Sequence, residues 1–344
     1  MRLACRRIRA RTLTRTRRYH SRMSVPADID AAVRVLRSGG LVAFPTETVY
    51  GLGADASNAA AVARIYAAKG RPASHPVIVH IASAAEAPRW ASEFPQVAQR
   101  LAAEFWPGPL TLVLPRAAGV PDAVTGGQDT VALRVPSHPV ALALLSAFGG
   151  GIAAPSANRY GKVSPTRAEH VRAEFGPELD CVLEGGDCEV GLESTIVSLA
   201  DGVPRLLRPG GIPRDRIEAV LGPLAGSAEG APRVPGSVKS HYAPAAALEL
   251  VDAGELDARV RGLRAQDRVA VLARSSAPVG FEGRWLRMPA DPAGYGHGLY
   301  AALRELDAGG AARILVERVP HRSAWEAVED RLVRAAARES PEAT

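Results

Sequence analysis

Apolar positions along the chain fall into helical and strand rhythms. Ile29, Val33 and Leu36 recur at helical spacing behind Asp28, which suits a helix N-terminus, and Gly39-Gly40 stops the run. A second helix is predicted from the cap residue Asn58 through Val62, Ile65 and Tyr66 to Lys69. Helices are also expected over 95–105, 139–148 and 212–221. Short apolar runs over 41–44, 77–81, 110–114, 131–135, 152–154, 181–183, 195–199 and 205–208 read as strands. The stretch from Phe44 to Gly53 reads as a strand entering a polar, glycine-bounded turn. Residues 23–221 thus form a mixed α/β domain. Residues 222–246 are rich in Gly, Pro, Ala and Ser, with little apolar periodicity, and read as a linker. Beyond it, strands over 248–251, 269–273, 284–288 and 314–317 are interleaved with helices over 256–263, 294–306 and 324–338. That order predicts a smaller α/β domain, 247–344, with a largely parallel sheet.

Charge changes the picture at one end only. The 344 residues hold 42 Lys+Arg against 36 Asp+Glu, net +6. Nine arginines (Arg2, Arg6, Arg7, Arg9, Arg11, Arg15, Arg17, Arg18 and Arg22) lie in residues 1–22, where no acid occurs. Without them 33 basic residues face 36 acidic ones, so residues 23–344 carry −3. That weakens a nucleic-acid reading based on overall charge. The Arg-rich start is expected to be disordered. It reads as translated sequence upstream of Met23, as a transit peptide, or as a basic RNA arm. The only lysines are Lys69, Lys162 and Lys239, a skew that fits GC-rich coding sequence. No apolar run reaches the roughly 18 residues that span a membrane. Cys5, Cys181 and Cys188 make neither a disulfide framework nor a C-x-x-C zinc pattern. A cytoplasmic protein is expected, or a mitochondrial one if residues 1–22 are a transit peptide.

The candidate chemistry lies in polar motifs at strand ends. Gly51-Leu52-Gly53 is no dinucleotide fingerprint, because the required acid after the next strand is missing, and Gly161-Lys162 lacks the rest of a phosphate loop. Lys69-Gly70-Arg71-Pro72 places two cations close together on a chain fixed by proline, a clamp for phosphate. Arg134 sits in the apolar run Val131 to Val135 and needs a carboxylate partner, from protein or substrate. Ser156 and Asn158 follow a strand of small residues, and Ser164-Pro165-Thr166 closes the same loop. Glu193-Ser194-Thr195 opens another strand and Arg208-Pro209-Gly210-Gly211 ends one. His75 and His80 lie near the Lys/Arg clamp. No Ser-His-Asp set, carboxylate pair or metal-ligand cluster stands out. Cations and hydroxyls without a clear base suit chemistry driven by positioning and charge stabilisation, such as nucleotidyl transfer.

Taken in order, Phe44-Pro-Thr-Glu-Thr-Val-Tyr-Gly-Leu-Gly53, Lys69-x-Arg71, Phe105-Trp-Pro-Gly-Pro-Leu-Thr111, Ser156-x-Asn158, Glu193-Ser-Thr195, Leu207-Arg-Pro-Gly210 and His241-Tyr242-Ala243-Pro244 carry a resemblance. The chain resembles the YrdC-like L-threonylcarbamoyladenylate synthases in their long, two-domain form. The resemblance implies a YrdC-like twisted mixed sheet with flanking helices, followed by a smaller Rossmann-like α/β domain. It implies a nucleotidyltransferase that joins L-threonine, bicarbonate or CO2 and ATP into threonylcarbamoyl-AMP, pyrophosphate and water. The product would feed a tRNA threonylcarbamoyl transferase complex, and Mg²⁺ is expected with ATP. By position, Thr48, His80, Arg134, Ala154 (through its backbone) and Ser194 would hold threonine. Lys69, Arg71, His75, Thr130, Ser156, Asn158, Ser164, Arg208 and Tyr242 would line the ATP side, with Lys69 and Arg71 supplying electrostatic catalysis. No protein side chain is assigned to a metal. His75 stands in Ser-His-Pro where the family often has Asp-Asn-Pro, and Gly236-Ser237-Val238-Lys239-Ser240 replaces the commoner Gly-Met-Lys-Tyr pattern. The linker is expected to fold over the site as a lid. A carbamoyl-phosphate-using hydrogenase-maturation domain would bring an acylphosphatase-like domain and zinc fingers, both missing from this sequence. A double-stranded RNA or ribosome-maturation factor of the same fold is the other alternative, with weak tRNA contact its mildest form.

Overall fold

The computed structural model describes residues 25–226, 230–238 and 240–337. The expectations for residues 1–22 and for Lys239 lie outside the described residues. Helix α1 (Val25–Arg37) leads into β1 (Val42–Phe44), β2 (Gly51–Asp55), α2 (Ala59–Lys69), β3 (Ile78–His80), α3 (Gln96–Phe105) and β4 (Leu110–Pro115). Next come α4 (Asp122–Thr125), β5 (Thr130–Arg134), α5 (Pro139–Phe148), β6 (Ile152–Ala153), α6 (Ala168–Phe175) and β7 (Cys181–Val182). β8 (Thr195–Ser198), β9 (Arg205–Arg208) and α7 (Arg214–Leu221) complete the first part. Its nine strands form one mixed sheet in the order β7-β1-β2-β6-β3-β5-β4-β8-β9.

Local chemistry explains most boundaries. Asn58 Oδ1 accepts the amides of Ala60 and Ala61 at the start of α2, and Gly70, at φ 62°, ends it. α1 begins before the expected cap, so Asp28 lies in its first turn, where its charge favours the helix N-terminus. β2 replaces the second half of the expected turn. Its glycines are needed because a Cβ on Gly53 would stand 2.8 Å from the Phe44 ring. Helix α6 was also not expected.

Alternation along the central strands divides the sheet into two faces. Val79, Val131, Leu133 and Val197 enter the main core beneath the helices. Ile78, Ala132 and Ile196 point to the other face, where Val234 covers them. His80 and Arg134 share that second face and are paired across β3 and β5, which run parallel.

The second part contains β10 (Ala247–Val251), α8 (Leu256–Val260), β11 (Val269–Ala273), β12 (Arg284–Arg287), α9 (Pro292–Ala308), β13 (Arg313–Glu317) and α10 (Glu326–Ala336). Its four strands are all parallel, in the order β10-β13-β11-β12. The two parts share apolar packing: Val49, Val163 and Leu192 join Tyr242, Leu299, Tyr300 and Leu332 in one buried cluster. No described helix is long and apolar enough to cross a membrane.

Candidate active site

The second sheet face carries a pocket at the ends of β3, β5 and β9. Its walls include Thr48, Arg71, His80, Arg134, Ala154, Ser156, Ser194 and Arg208, and Pro235, Gly236, His241 and Tyr242 complete the lining. Five buried polar atoms of the lining lack a hydrogen-bond partner among the described residues: Arg71 Nε, His80 Nδ1, Arg134 Nη2, His241 Nδ1 and the Tyr242 hydroxyl. Orphaned polar atoms are costly, so their gathering in one place marks a ligand site.

One end of the pocket is built by the Thr46-Glu47-Thr48 turn. Thr46 Oγ1 accepts the amides of Thr48 and Val49, both at 3.2 Å, and lies 2.8 Å from Thr48 Oγ1. This fixes the Thr48 hydroxyl in the wall. Glu47 turns the other way: its Oε2 accepts the Ser137 amide at 3.1 Å, and its Oε1 lies 2.8 Å from Arg134 Nη2. Both side chains are at most 5% exposed. The strand arginine therefore has a protein carboxylate beside it, a partner the sequence reading left open and gave to substrate. The contact is an ion pair without hydrogen-bond alignment, and Arg134 Nη1 makes no hydrogen bond among the described residues. Burial, then the charge of Arg134, push His80 down to about 3, so its ring is neutral near pH 7. Ser194 Oγ lies 2.7 Å from Thr111 Oγ1 and accepts Arg208 Nη2 at 3.2 Å.

The opposite end is cationic. Arg71 and Arg208 are both buried, and neither has a carboxylate within ion-pair distance among the described residues. Arg208 is anchored on carbonyl oxygens, Ser194 at 2.8 Å and Pro235 at 2.7 Å. Lys69 stands behind this wall. Its Nζ donates to the carbonyl of Ser156 at 2.6 Å and to that of Asn158, so it braces the loop that carries Ser156. Burial, then Arg71, lower its pKa well below the usual lysine value. Asn158 spends its amide N–H groups on the carbonyls of Arg159 and Lys162, and its Oδ1 is unpartnered. His75 opens on an adjoining hollow with Arg71 and Arg233, and its Nδ1 lies 3.1 Å from the Tyr160 hydroxyl. Thr130 starts β5 on the same face as Arg134, about 13 Å away by strand rise, and is not a wall residue. Ser164 is buried and donates to Glu193 Oε1 at 2.7 Å.

Glu193 was read only as part of a motif, yet it is the hub of the site. Its Oε2 accepts the Tyr300 hydroxyl and Arg331 Nε, both at 2.8 Å. Burial alone would raise its pKa, but Arg331 and Arg208 bring it down to about 2. Glu47 was likewise read only as part of a motif, and Tyr300 and Arg331 had no place in the sequence reading. A signal for Arg331 existed: it lies on the apolar stripe of Val328, Leu332 and Ala335. Tyr242 is 1% exposed and adopts φ 62°, a left-handed conformation that costs a bulky residue on the order of 1–3 kcal/mol. Its surroundings hold it there. Gly236 leaves room for its hydroxyl, since a Cβ there would lie 2.2 Å from it.

The buried histidines carry a pH signature. His80 and His241 are both held down to about 3, mainly by burial, against 6.5 in an unfolded chain. The unfolded state then binds more protons below pH 6.5, so their contribution is complete above 6.5 and is lost as pH falls toward 3. Between pH 6.5 and 4.5 each should cost on the order of 2–3 kcal/mol of stability. Urea unfolding across that range is expected to show the loss, and His80→Gln should reduce it; a flat profile in the parent chain would contradict the neutral assignment.

The chain matches known proteins over nearly all of this architecture. The Sua5/YciO/YrdC family model, described as telomere recombination, matches residues 34–210, and the model of the threonylcarbamoyl-AMP synthase C-terminal domain matches residues 212–337. The threonylcarbamoyl-AMP synthase of Pyrococcus abyssi is 43% identical over 321 residues, covering 89% of this chain and 93% of the relative. That of Bacillus subtilis is 41% identical, covering 90% and 92%. The Schizosaccharomyces pombe protein is 36% identical, covering 92% and 91%. Among solved structures, the crystal structure of P. abyssi Sua5 complexed with L-threonine superposes with a TM-score of 0.84 at 40% identity, over 90% of this chain and 94% of that one. The chain belongs to the Sua5/YciO/YrdC family and carries its threonylcarbamoyl-AMP synthase C-terminal domain.

Proposed function

We propose that this protein is a threonylcarbamoyl-AMP synthase, a nucleotidyltransferase that converts L-threonine, bicarbonate and ATP into threonylcarbamoyl-AMP, pyrophosphate and water. The observation that carries the reading is the polarity of one pocket. Its Thr48/His80/Arg134 end suits a small amino acid, and its Arg71/Arg208 end offers cations that no protein carboxylate neutralises. Arg134 would take the threonine carboxylate on Nη1 while Glu47 holds the opposite side of the guanidinium. Thr48 and Ser194 would bond the amino acid's polar groups, and Ala154 would approach through its backbone. Neutral His80 adds no charge that would compete for the carboxylate.

Condensation of the threonine amine with bicarbonate gives a carbamate and releases water. A carbamate oxygen then attacks the α-phosphorus of ATP, and pyrophosphate leaves. Charge builds on the phosphate oxygens, where Arg71 and Arg208 stand already desolvated and in place. Lys69 supports that end by fixing the Ser156 loop. Glu193, the carboxylate in the pocket wall, and Glu47 behind it are both engaged by arginine, and no metal-ligating cluster of three or more acidic, His or Cys groups occurs among the described residues. Mg²⁺ therefore fits as a companion of the ATP phosphates and would supply further neutralisation there. The product would pass to a tRNA threonylcarbamoyl transferase complex. Purified protein incubated with ATP is expected to release pyrophosphate only when threonine and bicarbonate are both present. Release equal to a no-threonine control would sink the assignment.

A further inference from the structure

Helix α9 of the second part reaches a loop of the first part that the proposed chemistry uses. The loop runs from Ser156, in the pocket wall, to the buried Ser164. Lys69 Nζ holds its start through the carbonyls of Ser156 and Asn158. Glu174, in the last turn of α6, holds the next residue: its Oε1 accepts the Arg159 amide at 3.0 Å. Arg304 of α9 holds the far end. Its Nη2 donates to the Val163 carbonyl at 2.5 Å and its Nε to that of Ser164 at 3.4 Å. Glu174 and Arg304 are themselves joined, Oε2 to Nη2 at 3.2 Å, with side chains 14% and 17% exposed. One ion pair, between helices 130 residues apart in sequence, thus grips the loop at both ends.

Two further contacts act on the same loop. Tyr300 lies one turn before Arg304 on the same face of α9. Its hydroxyl donates to Glu193 Oε2 while Ser164 Oγ donates to Oε1, so α9 also fixes the Ser164 side chain through Glu193. Burial, Arg71 and Arg159 weaken the charged form of Lys69, and Glu174 supports it. The attraction within a largely buried pair is mostly offset by desolvation, so the Arg304–Glu174 pair contributes geometry more than stability.

We propose that Arg304 and Glu174 are positioning residues for the nucleotide end of the pocket: together they hold the 156–164 loop so that Ser156 keeps its place in the wall. The inference rests on the synthase reading for its ligand, ATP, though not for its geometry. Thr48, His80 and Arg134 lie outside this loop, so threonine use should be independent of the pair.

Three variants of the full chain test this: Arg304→Met, Glu174→Gln and the two combined. Methionine fills similar space without the donors, and Gln keeps an acceptor for the Arg159 amide. In pyrophosphate-release assays each single variant is expected to raise the KM for ATP about tenfold, the equivalent of one lost charge-assisted hydrogen bond, with the threonine KM changed less than about twofold. The combined variant should be no worse than the poorer single one, because both break the same pair. Amide hydrogen exchange should separately be faster at Tyr160, whose amide is bonded to the Lys69 carbonyl, and at Lys162, bonded to that of Arg159, with β5 and β11 still protected. An unchanged ATP KM, an equal rise in both KM values, additive effects or unchanged exchange at Tyr160 and Lys162 each overturns the assignment. If the parent chain releases no pyrophosphate, the synthase reading falls, and hydrogen exchange alone decides whether the pair holds the loop: faster exchange at Tyr160 and Lys162 supports it and unchanged exchange overturns it.

Discussion

Replacing Arg134 by alanine is expected to raise the threonine KM by about a hundredfold while leaving the ATP KM within about threefold, the loss of a charge-assisted carboxylate contact. The same change should cost stability, because Glu47 is 3% exposed and would be left as an uncompensated buried charge. Breaking one partner of a buried ion pair costs about 3–5 kcal/mol. The two effects can be separated. Adding Glu47→Gln to the Arg134→Ala variant removes the stranded charge and should recover most of the stability. It should recover none of the threonine affinity, since the group that faces the amino acid is still missing. Arg134→Lys keeps a positive charge but loses the planar fork that can serve Glu47 and a second carboxylate at once, so it should fall between the two. Initial rates over both substrates, with urea unfolding of each variant, check this. Equal effects on threonine and ATP would remove Arg134 from the amino-acid end.

The strands read most accurately were those bounded by turn residues. The sequence reading placed 205–208 and 269–273 with the observed ends because a loop or linker segment rich in Gly, Pro or charge adjoins each. β2 was missed for the opposite reason: Gly51 and Gly53 signal a turn locally, and only the nearby Phe44 ring shows why a strand needs them. α6 was missed because its stripe is thin, with only Ala168, Val171 and Phe175 buried. At the site, single positions were legible and partnerships were not. Arg134 announced itself as a charge in an apolar strand, but its pairing with Glu47 depends on the sheet order that brings the β1–β2 loop beside the end of β5. The Arg331–Glu193 pair spans 138 residues and ties helix α10 to the loop before β8. The linker showed little periodicity because Tyr242 is held by contacts with neighbours, Arg331 and Tyr300, rather than by a repeat of its own.

Replacing Arg208 by methionine should give the reverse contrast, a large loss of turnover with little loss of stability. Arg208 is 3% exposed and has no carboxylate within ion-pair distance among the described residues. The nearest acid, Glu193, is already engaged by Arg331, Tyr300 and Ser164. A buried cation bonded only to neutral carbonyl and hydroxyl oxygens is costly to the folded state, and Glu193 keeps Arg331 when this charge is removed, so the fold gains little from it. Methionine fills similar space without the charge. The carbonyls of Ser194 and Pro235 would lose donors, a penalty of about 1 kcal/mol each, which removal of the unpaired charge offsets. Net stability is therefore expected to change by less than about 2 kcal/mol. Turnover should fall by about 10²–10³, the usual effect of deleting one preorganised group that stabilises developing phosphate charge. Threonine binding, measured by calorimetry without ATP, should persist, because Thr48, His80 and Arg134 are untouched. Loss of threonine binding, or unfolding comparable with Arg134→Ala, would make Arg208 a structural residue of the Ser194 turn instead of an anchor for the triphosphate.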